Sequence, residues 1–190
     1  MAVDVAGPLD EDAFWRLKRG GASTAAALGA LGIRDADSAA AEWVSQIEDE
    51  SWLALDRALP GAEDAVAELR AAGWSPVVVT ARRHSDRARA QVSRLGLEVA
   101  EVAVVSPARA VAEKAAELNR LGAAALVGDS EADIAAARRA GVALEVVASG
   151  QRDARFLRRQ GVERVHAGIS EAVAAVLLEI GPAASGSPPT

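Results

Sequence analysis

Apolar and polar positions follow two different rhythms along this chain, and the rhythm changes near Gly61. Beyond that point, stretches with apolar residues every three to four positions take turns with short, nearly continuous apolar runs, as helices alternating with buried strands do. The pattern predicts helices over 62–73, 85–96, 107–122, 130–141, 151–161 and 170–181. It predicts strands over 74–80, 99–106, 123–128, 143–149 and, briefly, 163–167. Pro107 opens one helix and Gly122 closes it, the usual asymmetry of helix ends. Strands joined by single helices imply a parallel sheet covered on both faces, a doubly wound Rossmann-like α/β fold over residues 60–181.

Residues 10–59 carry only the helical rhythm, with N-cap candidates at Asp10, Ser23 and Asp37 or Ser38. No strand pattern interrupts them, so they read as a small helical cap, whose core Trp15, Trp43 and Trp52 are expected to pack. Residues 182–190, "PAASGSPPT", form a Pro/Ser/Gly tail predicted to be disordered. Residues 1–9 stand apart as a short lead-in.

Composition narrows the function. A chain of 190 residues is long enough for one buried core, and its apolar fraction of 51% is rich in Ala, which favours closely packed layers. The net charge of -6 argues against nucleic acid as a partner, because binding there rests on Lys and Arg neutralising phosphates. Without Cys there is no disulfide framework and no thiolate chemistry. The apolar runs are too short for a membrane span and no signal peptide is legible, so a cytoplasmic location is expected. The oligomeric state cannot be read from the sequence.

In an open parallel sheet, ligands bind beyond the carboxyl ends of the strands. The polar residues there are Thr80 with Arg82, Arg83 and His84 behind it, Ser106, Asp129 with Ser130 and Asp133, and Ser149. Asp129 and Asp133 are one helical turn apart and can share a face, a suitable pair for Mg²⁺ completed by substrate phosphate and water. Thr80, followed by backbone N–H groups at a helix N-terminus, suits a phosphate. Lys114 adds a positive charge. Arg82, Arg83 and His84 read as a solvated basic loop.

"VVVT" ending at Thr80, Lys114 in the next helical stretch, and "LVGDSEADIAAARRAGV" with Asp129 and Asp133 resemble, in order, the second, third and fourth motifs of the haloacid dehalogenase-like superfamily over about residues 60–170. The resemblance implies a phosphatase-type, Mg²⁺-dependent hydrolase acting on a small phosphorylated metabolite through an aspartyl-phosphate. Thr80 would bind the transferring phosphoryl group, Lys114 would steady it, and Asp129 and Asp133 would hold Mg²⁺ or orient its ligands. Residues 10–59 resemble the cap that closes over such a site. "GDS" also opens a serine-esterase signature, but it follows a late strand here, and neither His84 nor His166 has an Asp three residues before it.

The superfamily's first motif resembles a hydrophobic strand followed by Asp-x-Asp-Gly-Thr. Aligned on "DVAGP", Asp4 is the nucleophile and a further metal ligand, Ala6 stands in place of the general acid, Gly7 is kept and Pro8 replaces Thr. Loss of general acid help costs about a hundred- to ten-thousand-fold in rate. Three alternatives stay open. They are a non-catalytic member that binds a phosphorylated ligand or a protein partner; a first motif lying upstream of Met1; and phosphonatase-like C–P hydrolysis, which the Asp-x-Ala-Gly form resembles, with Lys18 as a Schiff-base lysine.

Overall fold

The computed structural model describes residues 9–181 and 183. Helices α1 (Glu11–Arg19), α2 (Thr24–Ala30), α3 (Ala36–Gln46) and α4 (Glu50–Leu53) come first, without a strand. Asp10 and Ser23 cap α1 and α2, each accepting from the backbone N–H three residues on. The third cap is Asp35, which accepts from Ser38 N, and not Asp37 or Ser38 as the sequence predicts; Asp37 lies within the first turn. Phe14 is the centre of this segment, stacked on Trp43 and meeting Trp15 edge-on, with Ala27, Leu28 and Ile33 packed around it. Trp52, expected in the same core, is 55% exposed.

The second rhythm becomes α5 (Ala62–Ala71), β1 (Val77–Ala81), α6 (Ser85–Arg94), β2 (Glu101–Val105), a 3₁₀ turn (Pro107–Arg109), α7 (Ala110–Arg120), β3 (Ala125–Gly128), α8 (Glu131–Ala140), β4 (Ala143–Val147), α9 (Ala154–Arg159), β5 (Val165–His166) and α10 (Ile169–Ile180). The architecture is the parallel α/β one expected. All described strand pairs are parallel, but they form two sheets, β1–β2 and β3–β4–β5.

This part of the core is made of Ala and aliphatic side chains, as the Ala-rich composition implies. Ala115, Leu118 and Ala136 join α7 to α8, while Ile134, Val146 and Leu157 join α8, β4 and α9.

The helical segment is fastened to the rest on both sides of the carboxyl ends of the strands. On one side, Arg83, just ahead of α6, and Arg87, Gln91 and Arg94, spaced along one face of it, bond to Val44 O, Glu48 O with Asp49, Asp56, and Leu53 O respectively. On the other, the last carbonyls of α1 accept from the segment after β4: Lys18 O from Arg152, Arg19 O from Asp153 N, and Gly20 O from Arg159. Gly21 has φ +109°, and a Cβ there would run into the Phe156 ring, so the close approach requires glycine.

Candidate active site

The turn from β3 into α8 carries the densest polar chemistry. Ser130 is the N-cap, and Asp133, in the first turn, is 6% exposed. Its Oδ1 receives Lys114 Nζ at 2.5 Å, and its Oδ2 accepts from Ser130 Oγ at 2.6 Å and from Asp129 N at 3.3 Å. Both carboxylate oxygens are therefore engaged in arranging neighbours. A Cβ on Gly128 would strike Asp133, so the glycine before Asp129 lets the helix press this carboxylate against the strand end.

Asp129 is set differently. One oxygen, Oδ2, accepts from Gln151 N at 2.6 Å, and a Cβ on Gly150 would collide with the carboxylate. Burial raises its pKa and the neighbouring Asp133 charge adds to this, against the Gln151 N–H and the Lys114 charge. Among the described residues, the nearby Ser149 Oγ is buried without a hydrogen-bond partner. A hard cation fits these features: it would keep Asp129 ionised, and Mg²⁺ commonly uses one or two carboxylates beside water and phosphate. Among the described residues no group of three or more His, Cys, Asp or Glu side chains is arranged around one point.

Thr80 lies near the end of β1 and lines the same cleft as Lys114, Asp129 and Asp133. The structure thus brings together four of the five residues singled out from the sequence. The fifth, Asp4, lies outside the described residues, as do Ala6, Gly7 and Pro8.

One expectation needs correcting. The N–H groups after Thr80, predicted to be free for a phosphate, are occupied: Arg82 N donates to Val105 O, and Arg83 N and His84 N donate to the carboxylate of Glu48. The basic loop is not merely solvated; its backbone is where the helical segment docks. Burial pushes the Glu48 pKa up, but the two N–H groups and the Arg82 and Arg83 charges outweigh it and hold the group below its ordinary value.

Sequence reasoning also missed Arg152, 6% exposed, whose guanidinium forks onto Glu131 at 2.6 and 2.8 Å while bonding Lys18 O. This ties the end of α1 to Glu131 in the first turn of α8. Burial and then the Arg152 charge lower the Lys18 pKa, against Glu131, and its Nζ donates to Thr24 Oγ1 at 3.0 Å.

A family model for haloacid dehalogenase-like hydrolases matches residues 8–141. The chain belongs to that family. A search of curated proteins gave no match. Among solved structures, this haloacid dehalogenase-like chain is similar to a hydrolase of the same family from Streptococcus pneumoniae, with TM-score 0.67 and 15% identity over 90% of this chain and 83% of that one. Protein Tyrosine Kinase A of Mycobacterium tuberculosis gives TM-score 0.64 and 22% identity, covering 90% and 83%. A Thermotoga maritima protein named as a beta-phosphoglucomutase gives 0.59 and 20%, covering 90% and 85%. At these identities the likeness is one of fold. Among the described residues no helix is long and apolar enough to cross a membrane.

Proposed function

We propose that this haloacid dehalogenase-like chain hydrolyses a small phosphorylated metabolite with Mg²⁺. The observation that carries the reading is that Thr80, Lys114, Asp129 and Asp133, from three separate βα units, line one cleft, which runs between β1 and β3. Asp129 would hold the metal through its less engaged oxygen, and Asp133 would orient Asp129 and Lys114. The metal, when bound, would neutralise phosphate charge. Thr80 and Lys114 would hold the phosphoryl oxygens. Asp4 would attack phosphorus as the ester bond breaks, and water would then cleave the aspartyl-phosphate, releasing inorganic phosphate. With Ala6 in place of an acid, the leaving oxygen takes its proton from water, so good leaving groups are favoured. Residues 10–59 would serve as the cap that excludes bulk water.

The test is turnover of an aryl phosphate and a metabolite panel with Mg²⁺ and with chelator. Turnover that needs Mg²⁺ and disappears in Asp129→Asn and Asp4→Asn supports the reading. Turnover indifferent to both substitutions removes these roles. Ala6 favours a second reading, a member that binds a phosphorylated ligand without hydrolysing it; saturable Mg²⁺-dependent binding without release of phosphate would establish it. The lowered Lys18 pKa favours a third, phosphonatase-like chemistry. Borohydride trapping of an aldehyde on Lys18, lost in Lys18→Met, is its test.

A further inference from the structure

After β4 the chain passes between Asp129 and the end of α1, and three successive residues bond to one or the other. Gln151 N donates to Asp129 Oδ2 at 2.6 Å, and Gly150 approaches so closely that a Cβ there would collide with the same carboxylate. Arg152, buried, takes both oxygens of Glu131 in the first turn of α8, through Nε at 2.8 Å and Nη2 at 2.6 Å. Its Nη1 donates to Lys18 O at 2.6 Å, and Asp153 N donates to Arg19 O at 3.0 Å. Glu131 stands two residues beyond Asp129 and Gln151 one before Arg152, so the fork and the Gln151 bond close a ring that includes Asp129. A bidentate fork fixes distance and plane together, and it holds the 150–152 backbone against the β3–α8 turn.

We propose that Arg152 is a positioning residue for Asp129: its fork onto Glu131 keeps the Gln151 N–H on Oδ2 and leaves Oδ1 set for Mg²⁺, so that metal affinity depends on a residue that also grips α1. This role deepens the hydrolase reading and rests on Asp129 being its metal ligand. Groups that hold a metal ligand in place typically account for about 10–100-fold in metal affinity. Charge alone predicts the opposite sign. The bond to Glu131 raises the Arg152 pKa against burial, and the Glu131 and Asp129 charges add to this, so the Arg152 cation acts on Asp129 at short range. A cation there repels Mg²⁺, and removing it for its charge would tighten metal binding.

The experiment titrates Mg²⁺ into the full chain without substrate, followed by the amide NMR shifts of residues 128–134, in the parent, Arg152→Met and Arg152→Lys. Lysine keeps the charge and cannot fork. Both variants should bind Mg²⁺ about 10–100-fold more weakly, and the Gln151 amide should exchange faster in both before metal is added. Arg164→Met, which takes an arginine from the buried Glu145 at the β4–β5 edge, controls for a merely structural loss and should bind as the parent does. Tighter binding in Arg152→Met, parent-like binding in Arg152→Lys, or an equal loss in Arg164→Met overturns the proposal. If both Arg152 variants unfold, Gln151 exchange in Glu131→Gln decides, and an unchanged rate overturns it. A parent that takes up no Mg²⁺ removes the hydrolase reading together with this role, whereas uptake that the Arg152 variants leave unchanged removes this role alone.

Discussion

The carboxylate of Glu48 sits on the backbone N–H groups of Arg83 and His84, 2.9 to 3.1 Å away, and caps α6 from 35 residues upstream. His84, the helix's own N-cap residue, makes no side-chain cap bond. The anion position behind Thr80 is thereby filled from within the chain, and the helical segment is held to the core by the same bonds.

Glu48→Gln keeps the shape and removes the charge, so it should destabilise the fold by about 1–3 kcal/mol at neutral pH. The pH dependence has a definite sign. A carboxyl whose folded pKa is depressed contributes stability above its unfolded pKa and loses it as pH falls through the folded value. Urea melts should therefore show the parent losing its advantage over Glu48→Gln below the ordinary glutamate range. A constant difference between the two proteins down to strong acid would remove the charged contact from the account.

Lys114 and Asp133 form an ion pair whose side chains are 12% and 8% exposed. Removing one partner leaves the other buried and unpaired, at a cost of about 3–5 kcal/mol. Lys114→Met and Asp133→Asn should each destabilise by that order, and the double substitution by clearly less than their sum. Additive denaturation free energies would show that the pair does not act as a unit.

Gly21 lies where the helical segment meets α9. Gly21→Ala adds a Cβ at φ +109° that meets Phe156. We expect a loss of about 1–3 kcal/mol, largely recovered on adding Phe156→Leu if contact dominates. If the left-handed φ dominates, the second substitution recovers nothing. Thermal melts of the single and double variants separate the two causes.

The rhythm after Gly61 was legible because helix and strand periodicities are local, and Thr80, Asp129 and Asp133 could be placed because strand ends are where a parallel sheet presents polar residues. Long-range pairings were not legible. Glu48 against the backbone ahead of α6 and Arg152 between Glu131 and Lys18 O join residues far apart in sequence, and neither Glu48 nor Arg152 is marked by its neighbours. The cap of α3 failed locally: "DADS" offers four residues of which three can cap, and the structure uses the first, Asp35. Lys114 reads as an ordinary lysine in an Ala-rich helix until α7 packs on α8 and delivers it to Asp133.

Ala6 offers the sharpest test of the proposed chemistry, because it can be reversed. If Asp4 attacks phosphorus, an acid two residues later should supply the proton that Ala6 cannot. Ala6→Asp is then expected to raise kcat by about a hundred- to ten-thousand-fold on substrates with poor leaving groups, and much less on aryl phosphates, whose leaving oxygen needs little protonation. The gain should vanish in Asp4→Asn/Ala6→Asp, because an acid without a nucleophile has nothing to assist. Kinetics on an alkyl and an aryl phosphate side by side reads the difference directly. An equal change on both substrates would place Ala6 away from the leaving group and withdraw the alignment of the first motif on Asp4.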